Sequence, residues 1–188
     1  NSTFGVGANH DPNWAIDITN VSANCSGRDC VPQGSSSQKV DDIDFRLMHR
    51  LAYTNLGASQ ALVASMTVGA GGRAGVWWGE FQSPNPGPTW KRRQDGVYAP
   101  ADGDHRWMPA IAMDINGNIM LGYSASSTTV YPSVRYVGRL AGDPLGQMGD
   151  EKVLVVGTGA QSGGNRWGDY SMMSVDPTDG CTFWYTQE

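Results

Sequence analysis

Apolar residues along this chain come in short alternating runs broken by Gly, Pro, Asn and Asp. That period-two pattern belongs to strands rather than to helices. The runs Arg46–Thr54, Ala61–Val68, Ala74–Phe81, Pro88–Arg93, Trp107–Asp114, Asn118–Ser124, Ser133–Leu140, Lys152–Val156, Trp167–Val175 and Cys181–Thr186 read as strands, and Trp14–Val21 is a further strand-like run before them. In Ile115-Asn116-Gly117 the Asn-Gly pair predicts a type I′ hairpin turn, because both residues tolerate positive φ. The chain is expected to be all-β.

A repeat organises these runs. A shift of sixty residues lays Asp44-Phe45-Arg46-Leu47-Met48 on Asp104-His105-Arg106-Trp107-Met108, then Ala52 on Ala112 and Gly57 on Gly117, and it brings Arg166-Trp167 beneath the same frame. Each complete unit then holds four strands, which predicts a β-propeller with four-stranded antiparallel blades. Small residues such as Pro109, Ala110 and Ala112 suit the crowded innermost strand, and Trp77 and Trp78 the wider outer ones. The division is an N-terminal segment (1–44), two blades (45–100 and 101–160) and the first half of another (161–188). A β-sandwich is the alternative. Closure takes at least four blades. The expectation is therefore an incomplete fragment of about two and a half blades, with the remaining blades supplied by another chain or another part of the precursor.

Composition narrows the class. With 25 Gly, 10 Pro and 39% apolar residues, the 188-residue chain is long enough for one substantial core and rich in turns. A net charge of −5, with Lys91-Arg92-Arg93 as the basic run, argues against nucleic-acid binding. No apolar stretch approaches the length of a membrane span. Cys25 and Cys30 in NCSGRDC bracket a short Gly-containing loop that suits a local disulfide, hence an oxidising, extracellular location. Cys181, in CTFWY, is expected to be a buried inert thiol, with a disulfide to a segment outside this chain as the alternative. Asn1, Asn20 and Asn24 open N-x-S/T sequons, which matter only if the source glycosylates.

Over a run from roughly Ser37 to Tyr185, the segments SQKVDDIDFRLMHRLAYTN, HRWMPAIAMDINGNIMLGYS, YPSVRYVGRLAGDPLGQ and RWGDYSMMSVDPTDGCTFWYTQE, the last ending at Glu188, resemble the C-terminal part of a family of large secreted bacterial proteins. These are mostly uncharacterised sialidase-like propellers of the Asp-box type. The resemblance implies blades that precede Asn1. The Asp-box of sialidases, S-x-D-x-G-x-T-W, is a structural turn. Ser174-Val175-Asp176 followed by Gly180-Cys181-Thr182-Phe183 is similar to it with two extra residues, and Asp114-Ile115-Asn116-Gly117-Asn118 is closer to the D-x-x-G-N turn of other propellers.

Candidate chemistry lies where the inner strands begin. Arg46, Arg106 and Arg166 are expected to converge on one face of the channel, with His105 and Trp107 beside them, as a ligand-binding set. Guanidinium forks suit planar carboxylates, and the resemblance implies the arginine triad with which sialidases hold one. Asp104, Asp169 and Tyr170 are the candidate catalytic residues for glycoside cleavage. Against this stands a scaffold reading, with each arginine paired to a neighbour such as Asp44, Asp104 or Asp169. His10, His49 and His105 have no metal-ligand spacing, and Asp41, Asp42 and Asp44 lack the D-x-D-x-D-G loop, so no metal or other cofactor is expected, Ca²⁺ being without support. Function then divides between two classes. The first is an extracellular module that binds polysaccharide or protein or has a structural role, and the second is a sialidase-like glycoside hydrolase.

Overall fold

The computed structural model describes residues 16–25, 27–87 and 89–188. His10, Asn1 and the starts of the runs at Trp14 and Pro88 lie outside them. The described residues contain strands and no helix. The elements are β1 (Ala52–Asn55), β2 (Ser59–Ala70), β3 (Arg73–Pro84), β4 (Lys91–Tyr98), β5 (His105–Met113), β6 (Ile119–Ser126), β7 (Ser133–Arg139), β8 (Lys152–Val155), β9 (Met172–Val175) and β10 (Phe183–Thr186). They form two four-stranded antiparallel sheets, β1-β2-β3-β4 and β5-β6-β7-β8, and a two-stranded one, β9-β10. None of the sheets closes on itself.

The sixty-residue step recurs in the strands. β2 and β6 begin at 59 and 119, β3 and β7 at 73 and 133, and β1 and β9 at 52 and 172, two steps apart. Gly57 and Gly117 follow the first strand of their sheets with the same φ of 82°.

The sheets stack in sequence order. Ala52, Ala61, Val63, Val76 and Trp78 of the first sheet pack on Ile111, Met113, Ile119, Leu121, Tyr123 and Val137 of the second. The opposite face of the second sheet, Ala110, Ala112 and Met120, receives Met173, Val175, Phe183 and Tyr185 of the β9-β10 hairpin. Close approach is possible because residue 122 is Gly: a Cβ there would stand 2.4 Å from the Tyr185 ring. On the far side of the first sheet, Ile18 and Val21 pack on Ala64, Met66, Val68 and Trp77. This N-terminal run carries no strand over residues 16–21, only a bridge from Ser22 to Gly69.

Local chemistry sets where strands begin and turn. The first inner strand was expected from Arg46, but its regular ladder starts at Ala52. Phe45 has left-handed φ, and only Phe45, Leu47 and Met48 touch β2, through isolated pairings. In the third unit the chain is looped until Met172, and within that loop Gly168 adopts a left-handed φ of 68° that glycine takes without strain. The hairpin turn at Asp114 departs from type I′: Gly117 has positive φ and Asn116 does not. The Asp114 carboxylate instead accepts the amides of Asn116 at 2.9 Å and Asn118 at 2.8 Å, which selects a turn with a single left-handed glycine.

The third turn uses the same device twice. Asp176 accepts Thr178 N–H at 2.8 Å, Asp179 accepts the amides of Cys181 and Thr182 at 2.9 Å, and Trp184 Nε1 donates to Asp176 at 3.0 Å. The Asp-box-like motif is thus spent on holding a turn. It also leaves Cys181 exposed and free, not buried as the CTFWY run led us to expect.

Candidate functional site

Of the three arginines in one sequence frame, two share a surface and one does not. Arg106 is 1% exposed and belongs to the second sheet. It donates to Asp102 at 2.6 and 3.1 Å and to Glu151 at 2.7 and 3.1 Å, and its Nη1 also reaches the Asp104 carbonyl. Glu151 also accepts from Tyr123 Oη at 2.7 Å and from Arg135 Nη1 at 2.8 Å, while Arg135 pairs with Asp104 at 2.9 Å. Burial alone would raise the Glu151 carboxyl, but hydrogen bonds from Arg106, Tyr123 and Arg135 hold it below its ordinary range. The knot ties β5, β6 and β7 to the segment before β8. Each Arg106 guanidinium nitrogen is thus bonded within the protein, and Asp104 is engaged in the same network.

Two further sequence candidates are also placed elsewhere. Trp107 is fully buried among Val31, Val40, Ala74 and Met108, where it fills the core beneath the N-terminal segment. His105 is half-buried and accepts the Ala74 N–H on Nδ1 at 3.1 Å, which joins the start of β5 to β3; burial holds its pKa below the ordinary value. The two residues are two apart on β5 and share one of its faces, while Arg106 between them points to the other, and both faces are covered.

Arg46 and Arg166 do meet. Together with Arg28 they line a polar cleft of about 420 Å³, whose other walls include Asp41, Asp44, Ile43 and Gly27. The cleft forms where the segment around residues 25–46 crosses the loop before β9. Gln33, itself buried, clasps Gln161 by two hydrogen bonds, and Asp41 N–H donates to the Asn165 carbonyl at 2.7 Å. Arg28 sits within the loop closed by the Cys25–Cys30 disulfide. The carboxylates on the cleft wall are largely committed. Asp44 accepts the amides of Asn24 and Cys25, and Asp41 accepts the Ile43 amide at 3.0 Å while lying 3.5 Å from Arg28 Nε. Arg166 bonds Asp169, and Arg46 has no hydrogen bond or ion pair among the described residues. Most of the N–H donors of the three guanidinium groups therefore have no hydrogen-bond partner among the described residues.

Asp169 and Tyr170 adjoin this cleft. With Arg166, Gln161, Trp167, Gly168 and Glu188 they line a second one of about 470 Å³, and with Met48, His49, Ser171 and Met172 a third of about 180 Å³. Tyr170 is 80% exposed. Sequence reasoning placed Arg46, Arg166, Asp169 and Tyr170 in one neighbourhood and missed Arg28 and His49. The signal for Arg28 was present: a cation inside a short disulfide loop is held at a fixed place.

Asp41, Asp42 and Asp44 are each engaged by hydrogen bonds within the protein. Asp42 is buried, accepts from the Asn24 amide at 2.7 Å, and is pushed up to about 6 by burial. It lies close to Cys25 and Cys30, whose sulfurs are bound to each other. No helix among the described residues is long and apolar enough to cross a membrane. Comparison of the chain with family models, with curated proteins and with solved structures finds no match.

Proposed function

We propose that this chain is part of an extracellular β-propeller module whose arginine-lined cleft binds polysaccharide bearing acidic groups. The observation that carries the reading is the convergence of Arg28, Arg46 and Arg166 on one open cleft whose carboxylates are tied largely to backbone amides. Guanidinium groups with unspent donors favour carboxylate or sulfate, which they bind in paired, charge-assisted hydrogen bonds. An exposed aromatic ring, Tyr170, beside the arginines suits a sugar face better than a small inorganic anion. The Cys25–Cys30 disulfide supports an oxidising location.

The propeller part of the reading rests on the sixty-residue step and on sheets stacked face to face in sequence order. The next face in that order, on β9-β10, exposes Met172 and Trp184, the latter by 60%. Further sheets, from another chain or another part of the precursor, would cover it. The resemblance to secreted sialidase-like propellers is part of this proposal.

Affinity for acidic and neutral polysaccharides of equal length tests the binding. Binding to the acidic polymer is expected to weaken about tenfold in Arg46→Ala and as much in Arg166→Ala, and to fall with added salt. Equal affinity for both polymers would contradict the reading, and binding to a protein partner through the same arginines would replace it with a protein-recognition site. A second reading, a glycoside hydrolase of sialidase type, is favoured by the placement of Asp169 and Tyr170 beside Arg166. Hydrolysis of a fluorogenic sialoside, abolished in Tyr170→Phe, would establish it.

A further inference from the structure

The Asp169 side chain is only 8% exposed, and its two oxygens differ. Oδ2 is held by the Arg166 guanidinium, whereas Oδ1, itself out of contact with solvent, has no hydrogen-bond partner among the described residues. A buried carboxylate oxygen left unpartnered costs free energy, and such atoms in native structures are rare enough to need a reason. Asp169 is part of the wall shared by the clefts of about 470 and 180 Å³. Tyr170 stands on the same ridge and lines both. Arg166 continues the surface into the cleft it shares with Arg28 and Arg46.

We infer that this ridge is a saccharide subsite: a sugar ring stacks on Tyr170, the Asp169 carboxylate turns its buried Oδ1 outward to accept one of the sugar's hydroxyls, and the acidic substituent points toward Arg28, Arg46 and Arg166. The inference rests on the acidic-polysaccharide reading above and names the residues that read the sugar itself. The free oxygen selects a neutral donor rather than a cation, because Arg166 already balances the Asp169 charge and would repel a metal ion or an ammonium group. A hydroxyl donating to a carboxylate forms a strong, directional bond that a dry wall strengthens further. The exposed Tyr170 ring offers a flat apolar face at low entropic cost, which matches the C–H face of a pyranose. Because Tyr170 lines both clefts, an oligosaccharide can continue from one into the other. Tyr170 acts here through its face, so its hydroxyl is dispensable, in contrast to a nucleophilic role.

Calorimetric titration of the whole chain with hexasaccharides of polygalacturonate, hyaluronan and chondroitin sulfate, their carboxyl-reduced counterparts, and inorganic sulfate tests this. At least one acidic hexasaccharide is expected to bind. Affinity should fall about fivefold or more in Tyr170→Ala, stay within about twofold in Tyr170→Phe, and fall about tenfold in Asp169→Asn. Tyr170 is a surface position, so its variants keep the fold even if Asp169→Asn loosens Arg166. Loss of affinity in Arg46→Ala without loss in Tyr170→Ala and Asp169→Asn would overturn the subsite and leave the acidic-polysaccharide reading standing. Inorganic sulfate bound as tightly as the hexasaccharides would overturn the subsite in favour of a simple anion site. Failure of all three hexasaccharides to bind the unmodified chain would overturn both.

Discussion

At the scale of single residues, two arginines in one sequence frame have opposite fates. Arg106 is buried with Asp102 and Glu151, so Arg106→Ala would leave Glu151 without its main counter-charge; the expected loss is about 3–5 kcal/mol of folding stability. Arg46→Ala, by contrast, removes an exposed side chain and should change stability by less than about 0.5 kcal/mol. Urea unfolding of both variants checks the contrast, and equal losses would refute it. The sequence shows that Arg46, Arg106 and Arg166 recur, but not which faces inward, because that depends on the glutamate at 151 that the fold brings to Arg106 across two intervening strands. The neighbourhood of Arg166, Asp169 and Tyr170 was legible because contiguous residues cannot be far apart. Arg28 joins it only through contacts such as Gln33 to Gln161, which no local pattern announces.

Asp42 gives a second residue-level expectation. Burial pushes its folded pKa from an ordinary 3.8 up to about 6, helped by the neighbouring charges of Asp44 and Asp41 and opposed by the Asn24 hydrogen bond. In the folded protein the proton is held while the unfolded chain has released it, so the contribution is most favourable below about pH 4 and is lost as pH rises through about 6. Two pKa units correspond to about 2–3 kcal/mol. His105, held below its ordinary value, works in the opposite sense over part of this range, so the informative quantity is a difference. Asp42→Asn should be more stable than the unmodified chain at pH 7 and lose that advantage by pH 4 in denaturant titrations. Equal stability at both pH values would contradict the burial of a titrating carboxyl.

At the scale of elements, the pairing of strands follows from short local decisions. Asn55, Asp114 and Asp176 each stand at the end of the first strand of a sheet and use a side-chain oxygen to hold the following turn, at Gly57 N–H, Asn116 N–H and Thr178 N–H respectively. Every strand of the three sheets was readable from alternation and turn residues, since antiparallel neighbours joined by short hairpins need little long-range information. Strand starts were less legible: the inner strands were expected near the arginines, where Phe45 and Gly168 adopt left-handed φ and the regular ladders begin later. Docking of the third hairpin depends on Gly122. Gly122→Ala would force a methyl into the Tyr185 ring, with an expected cost of about 1–3 kcal/mol. Hydrogen exchange should then rise first across β9 and β10; uniform change across all sheets would mean that the hairpin does not dock as an independent layer.

At the scale of the molecule, the sheets stack in sequence order, and hydrogen bonds from Gln33 to Gln161 and from Asp41 to Asn165 join the segment before β1 to the loop before β9. The arginine cleft is a product of that arrangement: Arg28 comes from the disulfide loop, Arg46 from the approach to β1 and Arg166 from the approach to β9. No one unit contains it. The most direct measurement is therefore an NMR titration that follows the arginine Nε–Hε resonances as an acidic oligosaccharide is added. Shifts at Arg28, Arg46 and Arg166, with Arg106 and Arg135 unmoved in their buried network, are the result expected. Shifts at none of the first three, or equal shifts at all five, would contradict a built arginine site.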